Sequence, residues 1–207
     1  MTPDPSIIQS VLRRRIRTTY HFIPLPYISN VLFREGLWCR RQLSGWGDAF
    51  DDDMSKWGRA DKARAFQDYV CCSVNPPMGM LKKKKRPVLI LLHPYVLALP
   101  RVAFVGKWSS WGDVEPKRAL GQTGIEWFEK MFLNTTSSRA SHPGEFLVPS
   151  CVPLTYIRGF VFYNDNDKDS GIKLLEAVNA RGEVHRLRLI VDASLFGTKM
   201  QEEDETT

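Results

Sequence analysis

The chain has little cysteine, and none of it is spaced to hold a metal. Cys39, Cys71, Cys72 and Cys151 are the only cysteines in 207 residues, and they match no zinc-ligand pattern. Cys71 and Cys72 adjoin on an expected strand, so they should point to opposite faces. Buried free thiols in a reducing compartment are the expected state, and no metal is expected. Long apolar runs are also missing. The longest, Pro87 to Leu92, is strand-sized and far short of the roughly 20 residues that cross a bilayer. The N-terminus lacks the apolar stretch and small-residue cleavage site of a secretory signal. A soluble, cytoplasmic protein is therefore expected. There is no glycine-rich phosphate loop of either common type and no internal repeat. Strands and helices do not alternate as a doubly wound parallel sheet requires.

What remains is an ordinary globular composition, 43% hydrophobic and 25% charged, sufficient for a core. It fits a single domain spanning residues 1–207. The formal net charge of +6 is unevenly spread. Arg13, Arg14, Arg15 and Arg17 crowd a basic N-terminal helix within residues 1–17, and Lys82 to Arg86 form a second block. Residues 201–207 make an acidic tail, expected to be disordered. Such a surface attracts polyanions in a salt-sensitive way. A single basic patch reads as solvated surface, whereas two with aromatics between them point toward nucleic acid.

The apolar spacing predicts an α+β fold with mainly antiparallel strands. Ser6 is placed to cap a first helix carrying Ile7, Ile8, Val11, Leu12 and Ile16 on its inner side. Strands are expected over Thr18 to Ile23, Asp68 to Asn75, Pro87 to Leu92, Arg101 to Gly106, the run from Glu145, Tyr156 to Tyr163 and Val184 to Val191. Helices are expected over Tyr27 to Glu35 with Gly36 as C-cap, Lys62 to Gln67, Gly124 to Phe132 and Gly171 to Ala180. In the helix from Gly124, Ile125, Phe128 and Phe132 share a side. Gly45 to Gly58 and Asn134 to Gly144 read as loops, and Asn164 to Asp167 as a turn. Glu145 stands where a long loop enters a strand, and loops on a rigid scaffold are where catalytic groups concentrate. His93 and His185 read as structural.

Three segments together resemble the DarT-type ADP-ribosyltransferases. They are Tyr20-His21-Phe22 with a following helix closed by Glu35-Gly36-Leu37, then Asp68-Tyr69-Val70 with Pro76-Pro77-Met78, then Glu145-Phe146-Leu147-Val148 with Val152-Pro153-Leu154 and Ile157. They keep the family's order from about Thr19 to Phe162. Ile23 stands where the family often has Thr, and Cys71-Cys72-Ser73 replaces an aromatic stretch. The resemblance implies an ADP-ribosyltransferase-like fold, a split central sheet of mainly antiparallel strands with flanking helices. It also implies an NAD-dependent enzyme that attaches ADP-ribose to a base of single-stranded DNA. Such an enzyme would be the toxin of a toxin–antitoxin or anti-phage system, partnered by a macrodomain antitoxin.

In that chemistry the nicotinamide–ribose bond breaks through an oxocarbenium-like centre, and the attacking base must lose a proton. The resemblance assigns Glu145 to the ribose and the incoming base. His21 goes to the nicotinamide ribose, with its other nitrogen on backbone, and Asn30 and Tyr69 to the nicotinamide. The catalytic arginine is left open between Arg59 and Arg64, with Arg40 and Arg41 as alternatives. Trp108 and Trp111 are candidates for stacking on unpaired bases. Arg139 and His142, on the loop before Glu145, are candidates for acceptor recognition. Each also has a structural reading, as core aromatic, solvated arginine or surface loop. RNA as the acceptor, or a non-catalytic basic nucleic-acid-binding module, are the alternative functions.

Overall fold

A computed structural model describes residues 2–47, 66–81, 85–105, 120–133, 144–178 and 183–196. Helix α1 spans Pro5–Arg13. Its cap is Asp4 rather than Ser6. The Asp4 carboxylate accepts from the Ser6 N–H at 2.9 Å, and Pro5 sits in the first turn, where no N–H is needed. Ile7 and Val11 are buried, but Leu12 is 60% exposed, so the apolar stripe is narrower than its spacing predicts.

Strand β1 (Thr19–Pro24) leads through a 3-10 turn, Leu25–Tyr27, into α2 (Ile28–Phe33). Gly36 does not cap this helix. The left-handed residue is Glu35, at φ 55°, and Gly36 opens strand β2 (Gly36–Trp38). The glycine is needed for close approach: a Cβ there would lie 2.6 Å from the Val152 carbonyl oxygen. Helix α3 (Arg40–Gly45) was not foreseen, because its charged run has no apolar period. Strand β3 (Tyr69–Ser73), the short α4 (Met78–Leu81) and β4 (Pro87–Leu92) follow.

Strand β5 keeps only Ala103–Phe104 of the longer strand expected there. Helix α5 (Ile125–Leu133) matches the expected helix, although Ile125 is 36% exposed. Strands β6 (Glu145–Pro149), β7 (Cys151–Pro153) and β8 (Ile157–Phe162) come next. The expected turn at Asn164 is a helix start. The Asn164 side chain accepts from the Asp167 N–H at 2.8 Å, and α6 runs over Asp165–Ala177. A 3-10 turn, Glu183–Arg186, occupies the front of the last expected strand, leaving β9 as Arg188–Val191.

Among the described residues, seven strands form one sheet in the order β5-β6-β3-β1-β4-β8-β9, and β2 and β7 form a separate antiparallel pair. All pairings in the sheet are antiparallel except β8–β9. The period-two alternation of strands sorts their side chains. Val70, Cys72, Ile90, Leu92, Phe146, Val148, Phe160 and Phe162 join the main core, which α1, α2, α5 and α6 cover. The other face carries two small clusters instead of one large one. Phe66, Ala103 and Leu147 form the first, with Tyr69 and Cys71 against them. Leu81, Leu89, Val161 and Phe196 form the second, with Tyr20 and Phe22 against them.

Helix α6 docks through Gly171. A Cβ there would lie 2.8 Å from Cζ of the fully buried Phe162, and closer still to Cε1. Alanine in a helix interior normally adds about 1 kcal/mol over glycine, but overpacking a rigid core removes about 1–3 kcal/mol. We expect Gly171→Ala to be destabilising by about 1 kcal/mol, lowering Tm by about 2–4 °C in a chain of this size. A thermal melt with unchanged or raised Tm would show that the helix shifts without strain.

Candidate active site

Strands β1 and β3 are neighbours in the sheet yet share a single register pair, Tyr20 opposite Ser73. By contrast β1 pairs with β4 along its whole length, from Thr19–Leu92 to Pro24–Pro87, and β3 pairs fully with β6. The sheet is therefore split between β1 and β3 beyond that one pair, leaving a crevice with backbone groups on its walls. Buried backbone groups need partners, and His21 supplies one. Its Nδ1 lies 2.7 Å from the Cys71 carbonyl oxygen. A carbonyl can only accept, so Nδ1 carries the proton and Nε2 presents a lone pair. Burial lowers the His21 pKa, outweighing the raising effect of the Cys71 bond, so the ring is neutral at pH 7.

Glu145 stands on the far side of β3, in register with Ser73. Glu145, Ser73 and Tyr20 thus form one polar row across three strands, on the face away from the helices. The row runs along one end of both small apolar clusters: Leu147 and Cys71 of the first and Phe22 of the second lie two residues further along β6, β3 and β1, on the same side of it. At strand spacings of about 4.8 Å, Glu145 and the β1 residues are roughly 10 Å apart. A small ligand can bridge them.

Glu145 is only 5% exposed, and burial alone raises its pKa to about 7. Among the described residues no hydrogen bond or ion pair holds its carboxylate. The Ser73 hydroxyl is buried without a hydrogen-bond partner as well. Buried polar groups are usually satisfied, so two such side chains on adjacent register positions mark a place where a ligand supplies the partners. Burial, reinforced by the Glu145 charge, pushes the Cys71 thiol up, which keeps it protonated and unreactive. Burial also raises the Tyr20 phenol.

Of the arginines left open by the sequence, Arg41 pairs with Asp68 at 2.8 Å. Arg40 is half-buried, and burial lowers its pKa; its charge acts on Cys71, as that of Glu145 does. That places a cation and the carboxylate about the same residue. Tyr69 packs against the Phe66–Ala103–Leu147 cluster, whose strand residues belong to β5 and β6 on the side of β3 away from β1. Asn30 lies half-buried on α2, its carbonyl accepting from Arg34 N–H at 2.9 Å. His93 caps a 3-10 turn, its Nδ1 accepting from the Tyr95 N–H at 3.1 Å. Arg59, Arg64, Trp108, Trp111, Arg139 and His142 lie outside the described residues. Tyr20 stands in the Tyr20-His21-Phe22 segment but has no role assigned from the sequence, and the only signal for Ser73 is the alternation that puts it on the same face as Tyr69 and Cys71.

No family model matches the sequence, and no curated protein matches it. Solved structures do. The structure of Thermus sp. 2.9 DarT in complex with carba-NAD+ aligns with a TM-score of 0.62 at 14% identity, covering 87% of this chain and 98% of that one. Thermus sp. 2.9 DarT in complex with ADP-ribosylated ssDNA aligns with a TM-score of 0.57 at 14% identity, covering 88% and 97%. The chain has the DarT fold. Thermosipho africanus DarTG in complex with ADP-ribose gives a TM-score of 0.57 at 10% identity; 87% of this chain covers 51% of that one. On this DarT fold, no helix among the described residues is long and apolar enough to cross a membrane.

The buried Glu145 makes a prediction about stability. Its folded pKa lies above the unfolded value, so the fold favours the neutral carboxyl. That stabilisation is complete below about pH 4.5 and is lost as pH rises through about 7, because the carboxylate must then be buried charged. Glu145→Gln mimics the neutral form. It should stabilise the fold at pH 8 by about 3 kcal/mol, at roughly 1.4 kcal/mol for each pH unit between the two values. The gain should vanish near pH 4. Denaturant unfolding of both proteins across this range checks it, and a gain that is flat with pH would contradict it.

Proposed function

We propose that the protein is an NAD-dependent ADP-ribosyltransferase that modifies a base in single-stranded DNA, with Glu145 as the catalytic carboxylate. The observation that carries this reading is the buried, unpaired Glu145 in register with the orphaned Ser73 hydroxyl, at the edge of the β1–β3 crevice. The DarT fold supports it, since its neighbours are described in complex with NAD+ and with ADP-ribosylated ssDNA.

The chemistry needs few groups. NAD would lie in the crevice through the sheet; His21 alternates with Tyr20 and Phe22 along β1, so His21 and Glu145 would meet the nicotinamide ribose from opposite faces. His21 Nε2 accepts a hydroxyl proton from that ribose, because Nδ1 is already committed to Cys71. As the bond from the anomeric carbon to the nicotinamide nitrogen breaks, its electron pair goes to the pyridinium ring, which leaves neutral. A base nitrogen or its exocyclic amine attacks the same carbon, and Glu145 takes the proton it sheds. A cation near the diphosphate would complete the site; Arg59 and Arg64 are the candidates the resemblance leaves open, with Arg40, whose charge acts on Cys71, as an alternative. Asn30 and Tyr69 would contact the nicotinamide, and Trp108, Trp111, Arg139 and His142 the acceptor strand. A macrodomain antitoxin is the partner this function implies, in keeping with the DarTG neighbour. A modification of DNA bases that blocks the template would make the chain a cytoplasmic toxin.

Incubation with labelled NAD and a mixture of single-stranded DNA and RNA oligonucleotides tests the reading. Label should appear on DNA, and Glu145→Gln should reduce it by about 100-fold or more, the usual contribution of a positioned base. Label on RNA alone would move the substrate class, and no label with intact strand binding would leave a binding module. The rate should rise with pH through about 7, as Glu145 ionises. A rate independent of pH between 6 and 8 would remove Glu145 from the proton-accepting role.

A further inference from the structure

An open groove of about 460 Å³ lies beyond the closed end of the crevice, and Arg14, Arg15, Arg17, Tyr20, Asn75 and Gly144 are among the residues lining it. It touches the site at two points. Gly144 precedes Glu145, and Tyr20 belongs to the Glu145–Ser73–Tyr20 row. Its three arginines are not equivalent. Arg14 pairs with Glu129, which also takes Arg13 at 2.8 Å, and its guanidinium lies 4.5 Å over the Phe132 ring. Arg15 and Arg17 have no carboxylate partner among the described residues. The groove therefore carries two uncompensated guanidinium groups, in a chain whose charge is already positive.

Arg15 also occupies an unusual place. Helix α1 closes with the Arg15 N–H donating to the Leu12 carbonyl at 3.0 Å and the Ile16 N–H to the Val11 carbonyl at 3.1 Å. This is the Schellman pattern, in which the turning residue is left-handed and usually glycine. Arg15 takes that position at φ 55°, against the steric preference of a side chain. The conformation fixes the direction in which the Arg15 side chain leaves the helix end. The turn aims Arg15 into the same groove as Arg17.

We propose that this groove is the track for the phosphate backbone of the acceptor strand, with Arg15 and Arg17 as its phosphate contacts and Tyr20 at the mouth of the reactive row. The proposal rests on the transferase reading only for which strand enters; the charge and geometry of the groove stand without it. Guanidinium groups bind phosphate oxygens bidentately, and the groove is open to solvent, as a polymer passing through it requires. A strand held there delivers its next base to Glu145 from the side opposite NAD.

The test measures binding of a fluorescent single-stranded DNA 20-mer, without NAD, over a range of KCl concentrations. Wild type, Arg15→Gly and Arg17→Ala are compared, and Arg15→Gly relieves the left-handed strain, so it should melt higher. Each variant should lower the slope of log K against log salt by about 0.7, the value for one phosphate contact on a single strand. In the labelling assay the KM for the oligonucleotide should rise several-fold while the KM for NAD stays put. An unchanged salt slope in both variants would overturn the proposal. So would a rise confined to the KM for NAD, which would assign the arginines to the cofactor's diphosphate. If wild type transfers no label at all, the transferase reading fails, whereas the salt slopes still decide the groove.

Discussion

Strands β1 and β3 meet at one register pair, Tyr20 with Ser73, and then separate. Fully paired strands would bury their backbone groups in a continuous ladder and leave no room for a ligand. Once they part, the exposed Cys71 carbonyl has to be met by a side chain, and His21 meets it. That bond sets the His21 tautomer and so decides what its other nitrogen can do. The walls of the gap do not collapse because each is anchored on its outer side. Strand β4 holds β1 along its length, and β6 holds β3 in the same way.

The two faces of the sheet divide the work. On one face the helices α1, α2, α5 and α6 cover a single large core, where most of the apolar burial lies. On the other face the apolar residues split into two clusters, and the row from Glu145 to Tyr20 runs along one end of both. The Glu145 carboxylate in that row is desolvated by burial without gaining a partner among the described residues. Its raised pKa, about 7, is the electrostatic result, and it brings a group that is ordinarily always ionised into the range where a proton acceptor is most effective. Glu145 is buried at a cost to stability above pH 7, and Arg15 holds a left-handed turn that glycine would fill with less strain.

Several elements were legible in the sequence. Strand β4 was read to the residue, because Pro87-Val88-Leu89-Ile90-Leu91-Leu92 is an unbroken apolar run between polar flanks. Strands β3, β6 and β8 and helix α5 were placed within a residue or two for similar reasons. The misreadings arose where one residue type serves two purposes. Asn164 favours turns and helix caps alike, and its bond to Asp167 made it a cap. Gly36 favours helix ends and close approaches alike, and the Val152 carbonyl made it the latter.

Glu145, His21 and Tyr69 were legible as candidates because they sit in short ordered motifs. Ser73 carries no such signal, and Tyr20, though it stands in the same motif as His21, joins the row only through register with strands from elsewhere in the chain. The sequence by itself determined the alternation that sends Glu145 and Leu147 to one face and Phe146 and Val148 to the other, since side-chain direction follows from strand periodicity alone. The tertiary structure decided that β1 and β3 part after one pair, that Glu145 is buried without a partner, and that the arginine turn after α1 opens beside it. Those outcomes depend on pairing and desolvation between segments more than fifty residues apart, as Tyr20 and Ser73 are, and no local pattern of residues encodes them.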